Sequence, residues 1–389
     1  MITIVGGGVG GLTLASVLHR NGIASVVYDA DPSATHRHQG GMLDIHHDTG
    51  QVALQAAGLL DAFGKLTLQH GDAMRILDKT GAVRLTDDGN GLRPEIDRGA
   101  LRNLLLSSLP PDIVRWNARV TGVSKAGSEF KLSFADGSVA TTEVLIGADG
   151  AWSMVRPLVS EACPIYSGIS FVELRYLDAD KNHPTAAALV GKGMMIALSD
   201  ERAIFAHREP NSELCIYAAL KVPADWSKQP ISRDMLHKHF HGWHDDFHEV
   251  LANSDGDIQP RSIWMLPMGL RWPRTPGVTL LGDAAHLMSP FAGEGANLAM
   301  IDGADLAKAI IEHPTDIDQA FAIYETAMFP RAEEKAAESA AGLELAFEAN
   351  APQRMLEFFT PNGTEYHATA AAKSGFAAAE EGTASANSA

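Results

Sequence analysis

Apolar residues fall along the chain in two rhythms. Met1 to Val5 is a short apolar run of the kind a buried strand needs, and Leu12, Leu14, Ala15, Val17 and Leu18 then recur at helical spacing. Ser25 to Tyr28 predicts a second strand, so residues 2–29 predict β-α-β. Further strands are expected at Met42–Ile45, 113–116, 119–124, 129–134 and in the run Val144-Leu145-Ile146-Gly147-Ala148. A hairpin is expected from 74–77 and 81–86 around Thr80-Gly81, and helices over Gly50–Ala62 and Pro94–Leu109. Arg98 and Arg102 stand one turn apart on the second of these helices.

From about 164 to 267 the pattern changes to alternating strands with turns, including Met194–Ser199, Ala203–His207 and Leu214–Leu220. Alternation of this kind predicts an antiparallel sheet with one covered face. A helix is expected over Asp234–Ala252. Val278 to Leu281 is again a buried strand, and helices are expected at 295–312, 316–328 and 331–349. The small, polar stretch 368–389 predicts a disordered tail.

Composition adds boundaries rather than detail. The chain has 389 residues, 46% of them hydrophobic and 20% charged, as an ordinary globular protein does, and its length favours two interleaved units. A net charge of −17 argues against a nucleic-acid partner, which requires a basic footprint. Two cysteines, Cys163 and Cys215, fit a reducing compartment. Met1 runs straight into the first strand without a basic leader, and no apolar run reaches membrane-spanning length. A cytoplasmic monomer without membrane contact is the expectation.

The chemistry starts in the first turn. Gly6-Gly7-Gly8-Val9-Gly10-Gly11 supplies G-x-G-x-x-G between a strand and a helix. Gly6 permits the tight turn, Gly8 lets the backbone approach a pyrophosphate, and Gly11 permits close strand–helix packing. Asp29, at the end of the second strand, stands where an acid accepts hydrogen bonds from an adenosine ribose.

Two later segments extend this signal. Leu281-Gly282-Asp283-Ala284-Ala285-His286 leads through Pro290, Gly293 and Gly295 to Asn297: a strand, a glycine turn, an acid, and a glycine-rich loop opening a helix. An acid there can bind a polyol such as a ribityl chain. The helix N-terminus at Gly295-Ala296-Asn297 can face the pyrimidine edge of a flavin and favour its negative charge. The third segment is Asp149-Gly150-Ala151-Trp152-Ser153-Met154-Val155-Arg156.

In this order the three motifs resemble the class A flavin monooxygenases of the para-hydroxybenzoate hydroxylase fold, over roughly residues 1–350. Finer matches resemble the tetracycline-inactivating branch. They are Arg37-x-x-Gly40-Gly41-x-Leu43-Asp44-Ile45-His46, Pro94-Glu95-Ile96-Asp97-Arg98-x-x-Leu101-Arg102, and His286-Leu287-Met288-x-Pro290-Phe291-Ala292-Gly293. The resemblance implies an α/β fold with a Rossmann-like FAD-binding domain (1–72, 93–160 and 268–328). Interleaved with it would be an antiparallel substrate domain (73–92 and 161–267), followed by a C-terminal bridging helix (329–360). It implies that Asp44, Arg98 and Asp283 bind FAD and that Arg37 contacts NADPH. The implied activity is an NAD(P)H-consuming oxidoreductase. O₂ would add to the reduced flavin as a C4a-hydroperoxide, and one oxygen would pass to a phenolic or enolic small molecule, with tetracycline antibiotics among the candidates.

Departures qualify the branch. Lys192-Gly193 falls where that branch carries a substrate-binding arginine, and Glu173 where it carries a glutamine. Glu294 stands at a position more often glutamine, and a carboxylate beside a flavin opposes its reduction unless it points to solvent. Glu173, Met194, Phe205 and Phe291 are expected to line the substrate pocket, and Glu173, His207 and Tyr217 are candidate bases for a phenol. His237, His241, His244 and His248 recur at helical spacing, yet Gly242 and Trp243 interrupt them, so a solvated face is expected and no metal. The bland account of Arg98 and Arg102 is surface ion pairing. Two other functions compete: a reductase or dehydrogenase of the same fold, and a flavoprotein that sequesters its ligand without turnover.

Overall fold

The computed structural model describes residues 1–36, 41–68 and 71–359. Arg37 and the polar tail lie outside them. A five-stranded sheet forms the first layer, in the order Val278–Leu280, Leu145–Gly147, Ile2–Val5, Ser25–Tyr28, Val114–Arg115, with every pair parallel. Its central strands are apolar on both faces because helices cover both. The helices Val9–Arg20 and Gly295–Glu312 pack closely where glycines meet. A Cβ on Gly10 would lie 2.6 Å from the Ala299 carbonyl oxygen, and one on Gly303 2.5 Å from that of Gly10.

The second layer is a seven-stranded sheet ordered Asp255–Met265, Ile165–Tyr176, Glu213–Lys221, Arg202–Glu209, Met194–Ser199, Met74–Leu77, Val83–Asp87. All pairs are antiparallel except Met194–Ser199 with Met74–Leu77, where strands from distant segments meet in parallel. One face is covered by Leu189, Leu236, Phe247 and Leu251 from three helices, with Phe240 and Trp243 from the turn between the last two. The other presents Ile76, Phe171, Ile196 and Leu198 toward Phe291 and the end of the longest helix, Ile317–Ala346. That helix packs Phe321, Tyr324 and Met328 into the first core and Leu343 and Ala346 into the second. No helix among the described residues is long and apolar enough to cross a membrane.

Four elements differ from the sequence expectation. Residues 316–328 and 331–349 do not form two helices: one helix runs through Pro330. A proline inside a helix costs about 3 kcal/mol, and here both halves are anchored in packed cores that outweigh it. Pro94–Leu109 is not helical from its start: Glu95–Asp97 is a strand paired with Met42–Asp44, and the helix begins at Arg98. Asp97 marks the change, accepting a hydrogen bond from the Ala100 N–H at 2.8 Å as an N-cap. Asp234–Ala252 divides into Arg233–His239 and Asp245–Ala252, because Gly242 adopts a left-handed φ of 83°. Gly50–Ala62 divides likewise after Ala57.

Candidate cofactor and substrate site

The glycine turn is built as three separate constraints. Gly6 has φ 110°, and a Cβ there would lie 2.1 Å from the Ala148 carbonyl oxygen. A Cβ on Gly11 would lie 2.1 Å from the Gly6 carbonyl oxygen, so that glycine is required by packing. A Cβ on Gly8 meets nothing within 4 Å. Gly8 caps the helix Val9–Arg20 without a side-chain acceptor, leaving the first-turn N–H groups toward that open space.

Asp29 is buried beneath the turn and already bonded to it. Its Oδ2 accepts from the Gly7 N–H at 2.7 Å and its Oδ1 from the Asp31 N–H at 2.8 Å. Arg102 is also buried. It donates from Nε to the Gly7 carbonyl at 3.1 Å and from Nη1 to that of Ala34 at 3.1 Å, and its Nη2 lies 3.3 Å from Asp31 Oδ2. Surface ion pairing is therefore not what Arg102 does: it clamps the turn. Arg98, one turn earlier, is exposed.

Arg156 joins the two later motifs. Its buried guanidinium donates to the carbonyls of Ala284 at 2.8 Å, Ala151 at 2.6 Å and Gly150 at 3.3 Å. Asp149 closes its own loop by accepting from Ser153 Oγ at 2.5 Å and the Met154 N–H at 2.7 Å. Asp283 is accessible to solvent yet enclosed by protein. Burial raises its carboxyl above the usual range, and His286, Arg98 and Arg156 pull it back in part. This combination belongs to a side chain on the wall of a cleft.

Asp44, Gly293 and Asn297 are brought together at a second helix start. Asn297 is fully buried; its Oδ1 accepts from the His46 N–H at 2.9 Å and its Nδ2 donates to the Asp44 carbonyl at 2.8 Å. Gly293 is left-handed at φ 68°, beside the Asp44 carboxylate, and Ala296 follows it, half-buried in the first turn. The Asp44 Oδ2 lies 3.0 Å from His46 Nε2 and 3.1 Å from Arg93 Nη2. Burial raises the Asp44 carboxyl, but His46 and Arg93 hold it below its ordinary value.

Glu294 neither points to solvent nor stands uncompensated. It is buried, with Lys335 Nζ of the long helix 3.0 Å from Oε1 and His46 Nδ1 3.4 Å from Oε2. Burial raises it and these two partners outweigh burial, so the carboxylate stays ionised. The helix it precedes, like the glycine-turn helix, has no side-chain cap.

These residues fit FAD. Two uncapped helix N-termini suit an anionic pyrophosphate and the electron-rich edge of a flavin. Gly8 leaves room for close approach, and the enclosed but accessible Asp283 suits a polyol.

The sheet face opposite is aromatic. Phe205 and Phe291 have ring centroids 5.8 Å apart, Phe171 lies 5.5–6.0 Å from Phe205, Tyr217 and Phe291, and Met194 packs on the same cluster. Glu173 is on this face with its carboxylate committed to Arg175 Nε at 3.1 Å and Arg261 Nε at 2.6 Å. Burial raises the Tyr217 hydroxyl far above its ordinary range. Lys192 is exposed, 3.7 Å from Asp88, so it does not replace an arginine in the pocket. His237 and His248 have ring centroids 4.1 Å apart, tilted by 50°, across the break at Gly242, and among the described residues no three His, Cys, Asp or Glu side chains converge on a metal site.

Sequence reasoning missed His46, Glu95 and Lys335. His46 and Glu95 sit inside segments singled out for other residues, and Lys335 is hidden in an ordinary run of helix surface. It also missed the role of Asp302, fully buried, whose Oδ2 lies 2.5 Å from His286 Nε2 and accepts from the Gly282 N–H at 3.1 Å.

Comparison with known proteins agrees with this geometry. The FAD binding domain family matches residues 1–336. Monooxygenase asqM of Emericella nidulans is 31% identical over 370 residues, covering 79% of this chain and 83% of that protein. Among solved structures, Klebsiella pneumoniae HpxO complexed with FAD and uric acid superposes with a TM-score of 0.75 at 22% identity, covering 93% of this chain and 92% of that one. Tetracycline destructase Tet(51) superposes at 0.70 with 20% identity, covering 92% and 95%. The motifs, the fold and these likenesses together show that the chain belongs to the class A FAD-dependent monooxygenases.

Proposed function

We propose that this monooxygenase consumes NADPH and hydroxylates a phenolic or enolic aromatic small molecule, polycyclic ring systems of the tetracycline type among them. The observation that carries the reading is the aromatic cluster of Phe171, Phe205, Tyr217 and Phe291, set between the sheet face and the loop that opens the helix Gly295–Glu312. An aromatic surface with a few polar groups beside it suits a flat aromatic ligand. At 20% and 22% identity the solved structures support the fold alone, so the substrate class rests on this aromatic cluster.

FAD, when bound, supplies the redox chemistry with O₂. The chain's part is to hold, orient and exclude water. In this proposal the turn Gly6, Gly8 and Gly11 with Asp29 takes the adenosine diphosphate end. Asp44, Arg98, Asp283, Gly293, Ala296 and Asn297 take the flavin end, and Arg37 meets NADPH. Glu173, Met194, Phe205 and Phe291 border the substrate. Residues 1–72, 93–160 and 268–328 form the cofactor unit and 73–92 with 161–267 the substrate unit, in keeping with their separate apolar clusters. Lys335 keeps a net negative charge away from the flavin edge by pairing with Glu294. A single glycine turn, with no second G-x-G-x-x-G, favours transient NADPH docking over a dedicated nicotinamide domain.

The test is oxygen uptake by the purified protein with NADPH and a panel of tetracyclines, anthracyclines and simple phenols, with products weighed by mass spectrometry. Gain of one oxygen atom is expected. Substrate-dependent NADPH oxidation without O₂ uptake would replace the proposal with a reductase. Tight ligand binding without any turnover would replace it with a sequestering flavoprotein.

A further inference from the structure

Two buried polar atoms face each other between the sheet and the Asp44 strand. Glu95 is buried on the strand Glu95–Asp97, directly opposite Asp44, and its Oε2 has no hydrogen-bond partner among the described residues. His207 Nδ1 is also buried without a hydrogen-bond partner among the described residues and lies 3.9 Å from Glu95 Oε1. His207 pairs in register with Met194 and Cys215 and shares the sheet face of Phe205, two residues before it. Its strand packs against Met42–Asp44, and 23% of its side chain remains accessible. The ring thus has one nitrogen toward a buried carboxyl and an accessible remainder.

The surroundings set the charge of both groups. Burial pushes Glu95 up to about 8, Asp44 and Asp72 add to this, and Arg93 opposes it. Burial lowers His207 below its ordinary value, with Asp44 opposing. At neutral pH the carboxyl holds its proton and the imidazole is neutral. The other two candidate bases are excluded: Glu173 is held by two arginines, and Tyr217 holds its proton firmly.

We propose that His207 receives the hydroxyl proton of the phenolic or enolic substrate and that Glu95 is the positioning residue that tunes its basicity. This rests on the hydroxylase reading above. Nε2, the ring nitrogen away from Glu95, is the acceptor in this proposal. The substrate O–H bond breaks, an N–H bond forms at Nε2, and the electron pair stays on the substrate oxygen, giving the more electron-rich phenolate. The imidazolium then faces Glu95, and where that carboxyl has lost its proton to solvent its charge stabilises the imidazolium, so the two groups titrate as a pair. As pH rises through about 8, Glu95 ionises and His207 becomes the stronger base.

The test uses flavin-loaded protein and 4-nitrophenol, whose visible absorption reports its ionisation. Wild type should lower the ionisation midpoint of the bound phenol by about one unit, roughly tenfold in its acid constant. His207→Gln should abolish that shift. Glu95→Gln should keep the shift at neutral pH, where Glu95 holds its proton in wild type. A His207→Gln protein that ionises the phenol as wild type does, or a wild type that binds it without a shift, overturns the proposal. A ligand-free histidine NMR titration is independent of phenol binding. His207 should titrate below 6.5, with a second inflection near 8 that Glu95→Gln removes. A single unperturbed titration overturns the proposal. Absence of oxygenated product from every panel member, with both readouts intact, would remove the hydroxylase reading and leave the pair standing.

Discussion

Arg156 donates from Nε to the carbonyl oxygen of Ala284 at 2.8 Å, joining the Asp149-Gly150 loop to the Gly282-Asp283 loop. Further donations to Gly150 and Ala151 put the planar guanidinium at the junction of two segments that flank Asp283. A lysine ammonium cannot reproduce that fork.

Arg156→Lys should therefore lower stability by about 2–3 kcal/mol, the range for losing charged hydrogen bonds to buried carbonyls. It should also weaken FAD retention, because the Asp283 loop loses its brace. Denaturant unfolding of apo and FAD-loaded protein checks both. Unchanged FAD affinity in the variant would show that the two loops hold their positions without the guanidinium.

Glu294 and Lys335 invite a double-mutant cycle. Lys335→Met leaves a buried carboxylate with His46 as its remaining close cation, and should destabilise by about 1–3 kcal/mol. Adding Glu294→Gln removes the charge that Lys335 balanced, so the double variant should recover most of the loss. The midpoint of flavin reduction is the second readout: it should fall in Lys335→Met alone, because an extra net negative charge disfavours the reduced anion. Additive stability changes would mean the ion pair is not the reason Glu294 is tolerated.

Much of the glycine turn was legible in the sequence because it is written in backbone demands. Gly6 and Gly11 are required by positive φ and by close contact, and these requirements select one residue type whatever the surrounding fold. The parallel strands announced themselves as short apolar runs. What stayed hidden depends on partners brought together from far apart. Glu95 meets His207 only because an edge strand at 95–97 lies against the sheet, and that strand looked like the start of a helix. Lys335 reaches Glu294 only because the long helix passes Pro330 unbroken, whereas local propensity places a break there. Asp302 lies inside a helix and reads as a surface acid until His286, Gly282 and Arg331 close on it.

The pair of His286 and Asp302 should give stability a defined pH dependence. Burial raises Asp302, but His286 and Arg331 outweigh it and hold the carboxyl below its ordinary 3.8. Burial lowers His286, but Asp302 outweighs it and holds the imidazole above 6.5. The carboxylate contribution is present above about 3.8 and lost as pH falls through the depressed value. The imidazolium contribution is complete below about 6.5 and lost as pH rises through the raised value. Asp302→Asn should thus cost most between these limits, about 3–5 kcal/mol for one partner of a buried pair, and less on either side. Unfolding free energies of wild type and variant across that range test it; a difference independent of pH would mean the histidine is neutral throughout.

Gly8 and Gly11 separate cofactor recognition from folding within one turn. A Cβ on Gly11 would sit 2.1 Å from the Gly6 carbonyl oxygen, with the Ala148 side chain also within 3.2 Å, so Gly11→Ala must spread the turn from the helix. A loss of about 1–3 kcal/mol, typical of overpacking, is expected with or without FAD. A Cβ on Gly8 meets no protein atom within 4 Å, so Gly8→Val should cost the apoprotein only the loss of a favoured N-cap residue, about 0.5–1.5 kcal/mol. Its side chain instead enters the space before the uncapped helix N-terminus, where a pyrophosphate would make its closest approach. The flavin-dependent increment in stability should therefore vanish in Gly8→Val and persist, on a lower baseline, in Gly11→Ala. Thermal unfolding with and without added FAD distinguishes the two. Equal flavin stabilisation in Gly8→Val and wild type would move the pyrophosphate away from this turn, and with it the reading of the whole N-terminal motif.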